Sequence, residues 1–158
     1  NWDPERLMRV YQQAGARYFC VIAQHHDNID CWNSKHHRWN SVNMGPKKDV
    51  TGLWRAAALK RGRLLFIQCR ACHELKADQP HKVGPNLHGV MNRKSAAAEG
   101  FAYSAALKGA NLTWDKATLD KWIEKPSAVV PGNAMAFAGV ASPAERAALI
   151  AYIEAETK

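Results

Sequence analysis

Apolar positions change their rhythm along this chain. Leu7, Val10, Tyr11 and Ala14 recur at the three- and four-residue spacing that puts side chains on one helical face. Before them, Asp3-Pro4 combines an N-capping carboxylate with a proline at the first helical position, and Gly15 closes the segment. The continuous, β-prone run from Ala16 through Tyr18, Phe19, Cys20, Val21 and Ile22 to Ala23 predicts a short buried strand. Residues 24–48 are polar and loop-like, with His25, His26, Asp27, His36 and His37 among bulky Trp32 and Trp39. Asp49 then predicts a second helix start, with Leu53, Trp54, Ala57 and Ala58 on one face. Helix, strand, long loop and helix form one slice of an α/β architecture, short of a complete domain.

The style changes near residue 61 and becomes helical with long loops. A short helix over 63–69 leads into Cys69, residues 74–100 read as loop with a turn at Gly84-Pro85, and short helices are predicted around 103–108 and 115–124. The last helix opens on Ser142-Pro143-Ala144-Glu145, a capping box with proline at its first position, and Ala147, Leu149, Ile150 and Ile153 supply its apolar face. The chain therefore divides into residues 1–61 and 62–158.

Composition narrows the function classes. At 158 residues there is room for one ordinary domain or two small ones. The net charge of +8 is uneven: Lys and Arg outnumber Asp and Glu by 10 to 5 over residues 1–61 and by 12 to 9 over 62–158. That excess suits an acidic partner. The charges are scattered singly, without the clustered stripe of a nucleic-acid binder. No run of about 18 apolar residues exists, so no membrane span is expected. The chain opens at Asn1 with no signal-like segment, which points to a removed leader or a piece of a longer protein.

The chemistry is concentrated in Cys69-Arg70-Ala71-Cys72-His73. Two thiols at this spacing can add to the two vinyl groups of one haem, and the adjacent histidine then reaches the iron from the same side. A zinc ribbon would want a second cysteine pair at suitable spacing, which Cys20 and Cys31 do not provide. A redox dithiol would sit in a βαβ pattern, absent around residue 69. Downstream, Met135 lies in the loop Pro131-Gly132-Asn133-Ala134-Met135, at a distance suited to wrapping one haem. A lone methionine is usually core filler, but thioether ligation opposite histidine raises the potential of haem iron. Met135 is the candidate sixth ligand, and His81 and His88 are its competitors.

With Gly84-Pro85-Asn86-Leu87, Gly100-Phe101-Ala102-Tyr103, Leu112-Thr113-Trp114 and Pro131 to Gly139 in order, residues 62–158 resemble a class I cytochrome c along their whole length. The resemblance implies a mainly α, small helical fold around covalent haem c, and electron transfer to redox partner proteins such as a respiratory oxidase or reductase. It implies that the Pro85 carbonyl orients His73, that Arg93, Tyr103 and Trp114 lie near the haem propionates, and that Trp122 packs beside Met135. Phe66 and Leu65 should meet Leu149 and Tyr152. A c-type haem also implies a periplasmic or otherwise exported protein. Mitochondrial members crowd lysines around the methionine loop. Here Ser127-Ala128-Val129-Val130 and Asn133-Ala134 stand in that stretch, with Lys121, Lys125 and Lys82 nearby.

Residues 2–61 resemble a different family. His25-His26-Asp27, Trp32-Asn33-Ser34-Lys35, Trp39-Asn40-Ser41-Val42 and Gly45-Pro46-Lys47-Lys48-Asp49 are similar to the family 29 α-L-fucosidases, whose fold is a (β/α)₈ barrel. In that family the paired histidines bind fucose hydroxyls, so His25 and His26 are a possible sugar-binding remnant. A whole barrel needs about 250 residues, so this stretch is an incomplete, barrel-derived βα fragment. Retaining glycosidases need two carboxylates about 5–5.5 Å apart, and the family draws them from later strands that this chain does not reach. The expected function is electron carriage rather than catalysis. A fucosidase-derived carbohydrate-binding module carrying a tethered cytochrome is the alternative.

Overall fold

The computed structural model describes residues 2–16, 19–24, 26–36 and 38–158. The chain splits into two compact units, Asn1–Lys60 and Arg61–Lys158.

In the first unit, α1 (Pro4–Gln13) starts where Asp3 accepts the Arg6 N–H at 3.0 Å. None of its side chains is buried. Tyr11 stacks on Phe19 and Trp54, with centroids 5.4 and 6.4 Å apart, and Trp2 meets Trp54 edge-on at 5.7 Å. Among the described residues of 16–23 the expected strand is not formed. Among the described residues there are only isolated bridges, Gln24 with Asp30 and Asp30 with Asn40, and Arg17 and Tyr18 lie outside the described residues. Phe19 and Ile22, expected to be buried, are 39% and 62% exposed. A single β-prone run lacks a neighbour to take its N–H and C=O groups, and β-propensity acts only through such neighbours. The loop after it is held by polar groups instead. Fully buried Asn40 accepts from the Val42 and Asn43 N–H groups and donates to the Ser34 carbonyl.

The two helices expected before and after residue 61 are one helix, α2 (Val50–Arg70). Asp49 caps it, accepting the Gly52 N–H at 2.7 Å. Gly62 does not interrupt it. Any Cβ there would lie 2.2 Å from the Ala148 carbonyl and 2.5 Å from the Tyr152 Cβ, so the glycine permits a close approach to the last helix.

In the second unit the remaining helices are α3 (Ala105–Gly109), α4 (Lys116–Glu124), α5 (Pro126–Val129) and α6 (Pro143–Glu156). Ser104, Asp115 and Ser142 cap α3, α4 and α6 through their side-chain oxygens. Short α5 was not expected from the sequence. Proline at its first turn needs no N–H partner, which lets so brief a helix start. Phe66, Leu75, Val90, Trp114, Leu119 and Trp122 join Ile123, Val130, Val140, Leu149, Ile150 and Ile153 in one core, with Leu65 and Tyr152 packed against it. Phe66 meets Tyr152 at 5.7 Å. Arg146 is buried at the start of α6. It donates to both Asp120 carboxylate oxygens at 2.8 and 3.2 Å and to the Val140 and Ala141 carbonyls at 3.1 and 2.8 Å. Among the described residues no helix is long and apolar enough to cross a membrane.

Candidate haem site

The C-terminal end of α2 turns sharply into the cysteine motif. The N–H groups of Cys72 and His73 both donate to the Cys69 carbonyl at 3.0 Å, which curls the pentapeptide. Both thiols are free. Burial pushes the Cys69 thiol up to about 11, with the neighbouring Cys72 adding to the effect.

His73 follows directly. Its Nδ1 lies 2.7 Å from the Pro85 carbonyl. A carbonyl only accepts, so Nδ1 carries the proton and Nε2 keeps the lone pair. Burial lowers the His73 pKa, the Pro85 carbonyl acts in the opposite sense, and the Lys82 charge lowers it further. A neutral ring with a free Nε2 is the form that binds a metal. Gly84 makes this geometry possible. A Cβ at that position would stand 2.3 Å from Cε1 of His73. The Gly84 N–H donates to the Cys72 carbonyl at 2.9 Å, drawing the loop over the motif.

Met135 reaches the same core by another route. It is half-buried and packs against the cluster that Cys69, Leu87 and Met91 also touch. Its own N–H is held by Asn133 Oδ1 at 2.9 Å. Trp122 is buried in that cluster and meets Trp114 edge-on at 5.2 Å. Arg93 and Trp114 are tied through the backbone, the Trp114 N–H donating to the Arg93 carbonyl at 2.9 Å. The Arg93 guanidinium donates to the His88 and Asn86 carbonyls at 2.9 and 3.3 Å. The Tyr103 hydroxyl accepts the Ala98 N–H at 3.3 Å, and its ring leans on Phe101. His81 spends both ring nitrogens in this loop network, accepting the Asn86 N–H at 2.9 Å and facing the Glu99 carbonyl at 2.7 Å.

These groups fit a haem: paired thiols on one turn, a neutral histidine aimed by a carbonyl through a gap only glycine allows, and a thioether on the same core. Asn133, Gly84 and Arg146 were not singled out as functional residues from the sequence. Their roles depend on backbone direction, which residue type alone does not report. On the other unit, His26 is exposed, and His25 lies outside the described residues.

The cytochrome c family model matches residues 59–156, and the α-L-fucosidase family model matches residues 1–107. The chain is 42% identical over 106 residues to a cytochrome c2 of Rhodomicrobium vannielii, spanning 64% of this chain and 85% of that protein. It is 46% identical over 103 residues to a cytochrome c of Chlamydomonas reinhardtii, spanning 65% of this chain and 92% of that one. Among solved structures, cytochrome cH from Methylobacterium extorquens superposes with a TM-score of 0.58 at 39% identity, over 61% of this chain and 97% of that chain.

Proposed function

The chain belongs to the cytochrome c family and carries electrons on a covalently attached haem c, and from that premise we propose which residues do the work. Residues 62–158 are the electron-carrying domain. Cys69 and Cys72 would make the thioether attachments, and His73 Nε2 and Met135 Sδ would hold the iron. The observation that carries this reading is the His73 ring, its Nδ1 lying 2.7 Å from the Pro85 carbonyl and its residue following directly on a free thiol. When bound, the haem supplies the one-electron couple. Pro85 fixes the ring's tautomer and direction. Trp122 would pack beside Met135, and Arg93, Tyr103 and Trp114 would serve the propionate edge.

Its partners are redox proteins, and a respiratory oxidase or reductase is the kind we propose. The cysteine attachments argue for export, with the periplasm as the place of work. Residues 1–61 are, in this reading, a fucosidase-derived fragment without hydrolytic activity. The sugar-site stretch offers only Asp27, which caps the Ile29 N–H at 3.2 Å, and Asp30, which is buried.

An absorption spectrum of the oxidised and reduced protein tests the ligand assignment. The far-red band of methionine-ligated ferric haem is expected in the wild type and should vanish in Met135→Ala. Its absence from the wild type would overturn Met135 as ligand.

A further inference from the structure

We propose that Asn133 is a positioning residue for the axial methionine, a role that rests on Met135 as the iron ligand. Met135 sits in a segment with no regular structure, between the end of α5 at Val129 and the start of α6 at Pro143. Residues 126–141 carry no charged side chain, and Ala134 and Ala136, which flank the methionine, are exposed. Neither alanine can anchor it. Asn133 does so with both ends of its amide. Oδ1 accepts the Met135 N–H at 2.9 Å, and Nδ2 donates to the Val130 carbonyl at 2.8 Å. Its own N–H donates to that same carbonyl at 3.2 Å, after Gly132 has turned the chain with φ +79°.

The result is an Asx turn that hangs the Met135 backbone from the last residue of the α5 region. Phe137 extends it, its N–H donating to the Met135 carbonyl at 2.9 Å. Every other end of the segment is fixed as well. The Val140 N–H donates to the Ile123 carbonyl at 2.9 Å, and Arg146 holds the Val140 and Ala141 carbonyls. With both flanks tied, among the described residues the amide of Asn133 is the side-chain hydrogen bond that fixes the direction of the methionine's own peptide. Losing it frees the thioether to leave the iron without unfolding the loop.

The test is displacement of the sixth ligand by added imidazole, titrated on the oxidised, haem-bearing full chain and followed by its absorption spectrum. Asn133→Ala should keep the far-red methionine band before imidazole is added and bind imidazole roughly fivefold more tightly, the weight of the hydrogen bond it removes from the Met135 N–H. Asn133→Ser retains a hydroxyl able to accept from the N–H two residues on, and should recover most of the wild-type affinity. Ser95→Ala removes a comparable loop bond, the Leu112 N–H to Ser95 Oγ at 3.1 Å, away from the methionine segment. It should leave imidazole affinity unchanged. Wild-type affinity in Asn133→Ala with the far-red band present overturns the proposal and leaves Met135 ligation standing. An equal gain in Ser95→Ala also overturns it, because displacement would then report general loosening. A wild type lacking the band overturns the ligand assignment and this role together.

Discussion

A methyl group at position 84 would stand 2.3 Å from Cε1 and 2.9 Å from Nε2 of His73. The ring cannot swing away without losing its 2.7 Å bond to the Pro85 carbonyl, so Gly84→Ala forces either the loop or the ring to move. Overpacking of this kind costs about 1–3 kcal/mol. Guanidinium unfolding followed at the haem absorption should show that loss, and an unchanged midpoint would mean the ring is not confined. Tyr152 adds a pH dependence at the other end of the scale. Burial raises its pKa above 10, the Glu156 charge adds to this, and Arg63 and Arg70 act in the opposite sense. The fold therefore favours the neutral phenol. Its contribution is present below the unfolded value and is lost as pH rises through the folded one. Tyr152→Phe keeps a ring against Phe66 and removes the proton, so stability should fall less steeply as pH rises above about 10. A wild-type slope in the variant would assign the alkaline loss to another group. At this scale the candidate cysteine pair and His73 stand out in the sequence, because covalent haem attachment would demand their spacing. Gly84 and Asn133 do not, since each matters through where its backbone passes.

At the scale of elements, Gly62 shows how a local rule can point the wrong way. The sequence predicts one helix before it and another over 63–69. The helix runs through, because a glycine inside a helix costs only about 1 kcal/mol relative to alanine, while the absent Cβ lets α2 lie against the Ala148 carbonyl of α6. Propensity alone would make Gly62→Ala stabilising. The 2.2 Å clash is with backbone that cannot rotate aside, so the variant should instead lose about 3 kcal/mol or more. Ser142→Ala provides the scale for comparison. It removes only the Ser142 Oγ contact to the Glu145 N–H, a cap worth about 1 kcal/mol. Denaturant midpoints should rank wild type, Ser142→Ala and Gly62→Ala in falling order, and a stable Gly62→Ala would contradict the close crossing. Helix α6 was legible from its capping box and apolar face, and α3 and α4 fall where short helices were expected. The strand over 16–23 was misread for a physical reason: the run has β-propensity, but the pairing that turns propensity into a strand comes from elsewhere in a sheet.

For the whole molecule, the two units differ in how completely each buries its apolar surface. Residues Arg61–Lys158 close a core around Leu149, which is fully buried. The first unit leaves Val10, Tyr11, Phe19, Ile22, Trp32, Trp39, Met44 and Leu53 exposed and ties residues 24–48 with isolated bridges and polar side chains. If residues 1–61 are the barrel-derived fragment proposed above, they lack the later strands' carboxylates, so turnover of an aryl α-L-fucoside is expected to stay at the uncatalysed rate. Turnover by pure protein above that rate would restore an enzymatic role. The same inequality sets where the chain opens first. Segments with few buried apolar contacts open at lower free energy than a packed core, and proteases cut what opens. Continuous α2 narrows the site further, because a helix from Val50 to Arg70 must unwind before it can be cut. Limited proteolysis of the haem-bearing chain should therefore cleave within residues 24–48 and leave a coloured fragment that retains α2. That fragment should keep the visible spectrum and the reduction midpoint of the intact protein, since the proposed ligands and attachments all lie beyond residue 61. Bleaching, or a shifted midpoint on cleavage, would mean that residues 1–61 belong to the same cooperative unit as the haem, and the proposed division of the chain would fail.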